Sequence, residues 1–222
     1  MFREQMGFQM FIIKFNMMKL LLTSLIWGCY AICIVALGCN EPKETTMDMD
    51  KYKSKAAEAR KYCISKRLNT RFFFLADMGR HSGLKRFFVW DFEKDTIVHS
   101  FLVSHGCGPY PWTTTFTKDS PKFSNEEGSH ASSLGKYVIG ERGSSQWGIG
   151  VKYLLHGMDP TNSNALKRAI VLHSWEQVSN HEIHPDGTPE GWGCPAVSNE
   201  SMRIIDSLLK GASARTLLWV VE

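Results

Sequence analysis

Two short aromatic runs, Arg71-Phe72-Phe73-Phe74-Leu75-Ala76 and Arg86-Phe87-Phe88-Val89-Trp90, constrain the fold of this chain most. Between them lies a turn-forming stretch from Asp77-Met78-Gly79 to Gly83. Short β-prone runs bounded by such residues read as strand, turn, strand. Phe72–Phe74, Phe87 and Phe88 are therefore expected in the core. A third strand is expected over Asp95–Val103, and further ones at Gly135–Gly140, Trp147–Leu155, Ala169–His173 and Thr216–Val221. The clearest late helix is Glu200–Lys210. Ser198 or Asn199 can cap it, Met202, Ile205 and Leu209 share a face, and Gly211 stops it. Met49–Leu68, rich in Lys, Ala, Glu and Arg, has a helix-forming composition. The expectation is one mainly β (β-rich α+β) domain with few helices over residues 66–222, preceded by a tether and helix over 40–65.

The segment before residue 40 has another character. Leu20–Gly38 is a 19-residue uncharged apolar run following Lys19, and Met17-Met18 offers a start inside the longer reading frame, at 17 or 18. A run of this length suits a retained anchor helix or a cleaved secretory signal. Its end, Ala36-Leu37-Gly38-Cys39 followed by Asn40-Glu41-Pro42-Lys43-Glu44, resembles a bacterial lipoprotein lipobox with Cys39 as the lipidated residue. Residues 1–39 are thus expected to be a signal or lipoprotein segment, and the remainder to lie outside the cytoplasm.

A net charge of +4 over 222 residues is too mild to argue nucleic-acid binding, and no nucleic-acid-binding motif is present. Of six cysteines, Cys29 and Cys33 fall in the apolar run and Cys39 at its end, leaving Cys63, Cys107 and Cys194 for the domain. Three cannot all pair. Cys107, in a glycine-rich loop beside His105, is an alternative reactive site, but a loop role or a disulfide to Cys63 fits it better and leaves Cys194 as the leading candidate. Cys194 stands between Gly193 and Pro195, at what reads as the mouth of the late helix, where exposed amides favour an anionic thiolate. His173 ends the apolar run Ala169–Leu172 and can serve as its base. Trp175 and Trp192 each lie within two residues of a candidate and suit the walls of a groove. His173, His181, His184 and Cys194 match no common zinc spacing, so no metal is assigned.

Gly193-Cys194-Pro195-Ala196-Val197, Arg168-Ala169-Ile170-Val171-Leu172-His173 and Ser132-Ser133-Leu134-Gly135-Lys136-Tyr137-Val138-Ile139-Gly140 together resemble the murein L,D-transpeptidase catalytic-domain family, a branch of the YkuD-like enzymes. Ser104-His105-Gly106 and Phe123-Ser124-Asn125 are similar to further family segments. The resemblance implies a mixed β-sheet or sandwich fold and a cofactor-free cysteine–histidine site that acts on peptidoglycan stem peptides. It implies Cys194 as nucleophile, His173 as base, and the backbone around Gly193 and Cys194 as oxyanion hole. Trp192 and Ser174 are expected in support, and Trp175 and Gly191 at the substrate. The chain departs from the family pattern at Gly191, where relatives carry Ser, and at Trp192 and Ser174, where many carry His and Gly. The group orienting His173 is then a backbone carbonyl or the Ser174 hydroxyl. Expected partners are stem peptides and a membrane, reached through the lipid anchor or an N-terminal helix, in the periplasm.

Overall fold

The two aromatic runs pair as antiparallel strands β1 (Phe72–Asp77) and β2 (Phe87–Asp91), with Phe74 opposite Val89. The computed structural model describes residues 47–222. The signal segment, Cys39 and most of the tether lie outside the described residues. Six more strands follow: β3 (Thr96–Phe101), β4 (Gly135–Ser144), β5 (Val151–Gly157), β6 (Val171–Ser174), β7 (Ala196–Val197) and β8 (Leu217–Val221). They form one mixed sheet in the order β3-β2-β1-β8-β4-β5-β6-β7. The expected β-rich fold with few helices is observed.

Every residue of β1 and β8 is buried because both faces of the central sheet are covered. Helix α1 (Met49–Lys66) covers one face with Tyr52, Ala56, Ala59 and Cys63, spaced as one helical stripe, against Phe73, Phe88, Trp90 and Trp219. Asp48 caps its first turn, accepting from the Lys51 N–H at 3.0 Å. The Lys51 ammonium and the Tyr52 hydroxyl then fasten α1 to Asp77 at the end of β1, at 3.1 and 2.8 Å. The helix expected ahead of the domain is thus a layer against its sheet. The other face, carrying Phe72, Phe74, Phe87 and Leu218, packs with Leu155, Leu172, Met202 and Ile205. The last two belong to helix α2 (Asn199–Lys210), capped by Ser198, whose side chain accepts from the Ser201 N–H.

The edges of the sheet approach one another beyond β3. The Ser104 N–H donates to the Ala196 carbonyl at 2.8 Å, and the Gly191 N–H donates to the His105 carbonyl at 2.8 Å. This closure brings Ser104-His105-Gly106 beside the segment that carries Cys194.

Two expectations are corrected. Cys194 does not open a helix: the two-residue strand β7 intervenes and α2 begins only at Asn199, so its N-terminal amides cap onto Ser198. No Cys63–Cys107 disulfide forms; Cys63, Cys107 and Cys194 are all free thiols. Cys63 is held in the α1 face against the sheet, whereas the Cys107 backbone is fixed to Gly191, its N–H donating to that carbonyl at 2.8 Å.

Candidate active site

β6 and β7 run parallel, with His173 opposite Ala196 and Ser174 opposite Val197. This register places Cys194, two residues before Ala196, along the same sheet end as His173. The two side chains line one small cleft of about 120 Å³. Ser104, Gly191 and Ala196 also line it, and Trp112, Trp147, Trp175 and Trp192 form its aromatic wall.

His173 is oriented by a backbone carbonyl. Its Nδ1 lies 2.9 Å from the Ser174 oxygen. A carbonyl only accepts, so Nδ1 carries the proton and Nε2 keeps the free lone pair. The Ser174 hydroxyl is engaged elsewhere, accepting from the Ile149 N–H at 3.0 Å. Burial lowers the His173 pKa; the Ser174 carbonyl and Glu176 oppose this, and Lys152 adds to it. The imidazole is therefore neutral at physiological pH.

The Cys194 sulfur is half-buried and accepts from the Val171 N–H at 3.4 Å, with the Ala169 carbonyl oxygen 3.8 Å away. Burial pushes its pKa up, against the opposing pull of the Val171 N–H, Arg168 and Lys152. Thiol and imidazole both rest uncharged, in place of the thiolate that a helix terminus would have favoured. Among the described residues, the N–H groups of Trp192, Gly193 and Cys194 donate to no acceptor, which leaves backbone donors free beside the sulfur.

Gly193 is required by geometry. Its φ is +98°, and a Cβ there would sit 2.5 Å from the Ala131 carbonyl oxygen. Ser132 locks the same turn: its hydroxyl accepts from the Gly106 N–H and donates to the Gly193 carbonyl, each at 3.1 Å. Arg168 knits the surrounding loops, donating to the Ser124 carbonyl at 2.8 Å, the Ser133 hydroxyl at 2.6 Å and the Ser129 hydroxyl at 3.2 Å, and also to the Ala131 carbonyl. The motifs at 104–106, 123–125, 132–133 and 168–173 thus meet around the Cys194 turn.

Behind the turn lies a buried polar chain that sequence reasoning did not identify. Arg86, His105, Thr117 and Glu190 are all buried. The Arg86 guanidinium donates to His105 Nδ1 at 2.7 Å, so His105 Nε2 carries the proton and donates to the Thr117 hydroxyl at 2.8 Å. Glu190 accepts from the Thr117 N–H at 2.6 Å. Burial pushes Arg86 down to about 9, still cationic at neutral pH, and burial with the adjacent Arg86 charge takes His105 to about 3. Glu190 directly precedes Gly191, so this chain fixes the base of the Cys194 segment.

Trp175 is buried in the cleft, and Trp192 is largely exposed at its rim. Trp112 and Trp147, which the sequence reading did not select, complete the wall. Trp112 stacks on Trp175 with ring centroids 5.8 Å apart and planes 9° from parallel. The signal for Trp112 was a tryptophan in a polar loop next to Pro111, whereas Trp147, expected to open a strand, lies in the turn before β5, which begins at Val151. His181 and His184 lie away from this cleft, and His184 packs edge-on against His81 at 4.7 Å. Among the described residues, no helix is long and apolar enough to cross a membrane.

Two solved structures are similar to this chain at low identity. An L,D-transpeptidase (residues 123–326) from Xylanimonas cellulosilytica is 13% identical, with 72% of this chain covering 68% of that one at a TM-score of 0.37. The helical cell shape determining protein Pgp2 from Campylobacter jejuni is 10% identical, with 78% of this chain covering 54% of that one at a TM-score of 0.39. No curated protein matches the chain. The model of the L,D-transpeptidase catalytic domain matches residues 43–217, most of the chain and all the elements just described except β8 beyond its first residue; the chain belongs to the L,D-transpeptidase catalytic domain family.

Proposed function

We propose that the protein is a cysteine acyltransferase acting on peptidoglycan stem peptides, with Cys194 as nucleophile and His173 as general base. The observation that carries this reading is the meeting, in one cleft, of a thiol, a neutral imidazole whose Nε2 is free, and unpaired backbone N–H groups. The sulfur rests against the Val171 N–H with no hydrogen bond to His173, and such catalytic contacts commonly tighten only with substrate bound.

Cys194 Sγ gives its proton to His173 Nε2 and attacks the carbonyl carbon of the L-configured diamino-acid residue. The N–H groups of Gly193 and Cys194 receive the developing oxyanion. The carbon–nitrogen bond to the terminal D-alanine breaks as His173 protonates the departing amine, leaving a thioester. An acceptor amine from a second stem then gives its proton to His173 and displaces the sulfur, which recovers a proton. Because the resting pair is uncharged, proton transfer accompanies attack and no preformed ion pair is needed.

The test is incubation of the purified protein with a disaccharide tetrapeptide, followed by mass spectrometry of products and protein. Release of D-alanine with dimer formation supports transpeptidation; tripeptide monomer alone assigns water as acceptor and makes the protein an L,D-carboxypeptidase. Absence of both D-alanine release and a Cys194 acyl adduct refutes the enzymatic reading and leaves a wall-binding protein. Cys194→Ser abolishes turnover on this mechanism. For location, we propose an exported lipoprotein anchored through Cys39 in the periplasm. Membrane fractionation of wild type against Cys39→Ala tests it, and unchanged retention in the variant refutes lipidation.

A further inference from the structure

Two residues that line the cleft each carry a buried hydrogen-bond donor with no partner among the described residues: the Ser104 hydroxyl and the Trp175 indole N–H. Ser104 is 0% exposed and Trp175 4% exposed, so bulk solvent does not reach them. Buried polar groups without partners are rare and destabilising, and completion by a ligand is one reason to keep them. Gly191 leaves the space in front of Ser104 open. A Cβ added at Gly191 would lie 3.9 Å from the Ser104 oxygen, with nothing nearer. The Trp175 ring forms the cleft wall under Trp112.

The indole N–H can only donate, and the hydroxyl is free to donate, so the missing group bears acceptor oxygen. Its charge follows from the lining. Among the described residues no lysine, arginine, aspartate or glutamate lines the cleft, and His173 is held neutral. A carboxylate placed there would lose its hydration with no cation among the lining residues to replace it. An amide carbonyl loses far less, and its flanking carbons suit the tryptophan walls.

We propose that Ser104 and Trp175 form a donor pair that recognises an uncharged amide carbonyl of the substrate beside Cys194, discriminating against a carboxylate at that point. This specificity rests on the acyl-transfer reading of the site, but its test does not require turnover. Thr113 follows Trp112, a residue of the cleft wall. It is a β-branched residue at φ +67°, a conformation seldom kept without function, and it places Trp112 over Trp175.

The experiment compares alkylation of Cys194 by iodoacetamide and by iodoacetate, read by intact mass and peptide mapping. Both reagents form the same sulfur–carbon bond with loss of iodide, the thiol proton passing to solvent; they differ in carrying an amide or a carboxylate. The expected result is a preference for iodoacetamide at least about tenfold beyond that of glutathione, the reference thiol. Ser104→Ala and Trp175→Phe should each reduce the excess about three- to tenfold, the range of one neutral hydrogen bond. Ser104→Ala should also leave the melting temperature unchanged or raise it, because it deletes an unpaired buried hydroxyl. A preference equal to that of glutathione overturns the proposal, as does an excess that both variants retain. A lowered melting temperature in Ser104→Ala overturns it too, by making the hydroxyl structural. D-alanine release by the wild type, measured in parallel, separates failure of this inference from failure of the acyl-transfer reading.

Discussion

Replacing Gly193 with Ala perturbs the site by one methyl group whose destination is known. The new Cβ would lie 2.5 Å from the Ala131 carbonyl oxygen and 3.1 Å from its carbon, where ordinary contact begins at 3.4 Å. Ala131 cannot yield easily, because its carbonyl takes a bond from Arg168 and the next residue, Ser132, is fixed at both ends of its hydroxyl. The Gly193–Cys194 backbone must therefore move, by about 0.9 Å along the contact. A misplacement near 1 Å costs roughly 100-fold in rate, about 2.7 kcal/mol of barrier. Holding a non-glycine residue at φ +98° adds about 1–3 kcal/mol of strain to the fold. For a domain of this size that lowers the melting temperature by roughly 3–10 °C without unfolding the protein at room temperature. The assay is D-alanine release from a disaccharide tetrapeptide beside a thermal melt. Activity within threefold of wild type, with a melting temperature within about 1 °C, would refute the claim that this turn positions the nucleophile.

Three further outcomes are expected. Cys194 alkylation should rise with pH with a midpoint above the ordinary thiol value of about 8.5, since burial outweighs the groups that favour the thiolate, and Lys152→Ala should move that midpoint higher; a midpoint near 6 would reveal a preformed thiolate–imidazolium pair. Ser132→Ala leaves the Gly106 N–H and the Gly193 carbonyl without their shared partner, and should destabilise the protein by about 2–4 kcal/mol in urea unfolding; no change would mean that water or a shift of the turn replaces the hydroxyl. Asp206 accepts from Arg142 at 2.8 Å, Tyr153 at 2.8 Å and Lys210, with Arg142 foremost in holding its carboxyl below the usual range. Its stabilisation is complete above the unfolded value near 3.9 and is lost as pH falls toward the lower folded value, so Asp206→Asn should be less stable at pH 7 and converge with wild type on acidification. A constant difference across that range would refute the linkage.

The sequence made the strands legible where side chains alone explain them. Phe72–Phe74 and Phe87–Phe88 are core on any register, and the Met202, Ile205, Leu209 stripe bounded by Ser198 and Gly211 defines α2 from local signals. β7 was illegible for the opposite reason. Two residues carry no periodicity, and Ala196–Val197 is a strand only because His173 and Ser174 lie alongside to pair with it. The neighbouring proline and the helix beyond made the same residues read as a helix entrance. Cys194 and His173 stood out in the sequence as reactive residue types, one between Gly193 and Pro195 and the other at the end of an apolar run, and the fold brings both to one cleft. The supporting residues were not. Arg86 and Glu190 look like surface charges, because such residues are almost never fully buried unless paired, and their partners lie elsewhere in the chain. Arg168 hid at the head of an apolar run whose loop partners, 124–133, lie about forty residues earlier.

The place of β8 in the sheet has a consequence for when the protein becomes functional. This last strand of the chain lies at the middle, parallel to β1 and antiparallel to β4. Until it is present, the sheet is two separate halves, β3-β2-β1 and β4-β5-β6-β7, with a gap where five wholly buried residues belong. Phe74 meets Leu218 only after nearly the whole domain has been threaded, a long-range closure that local contacts cannot anticipate. Ser104 and His105 extend from the first half, His173 and Cys194 belong to the second, and β8 joins in one sheet the two halves whose far edges the Ser104–Ala196 and Gly191–His105 bonds close. A chain emerging N-terminus first therefore carries its thiol before the sheet around it is continuous, and β8 is the strand that completes that sheet. Loss of the last five or six residues should silence the protein as fully as loss of Cys194.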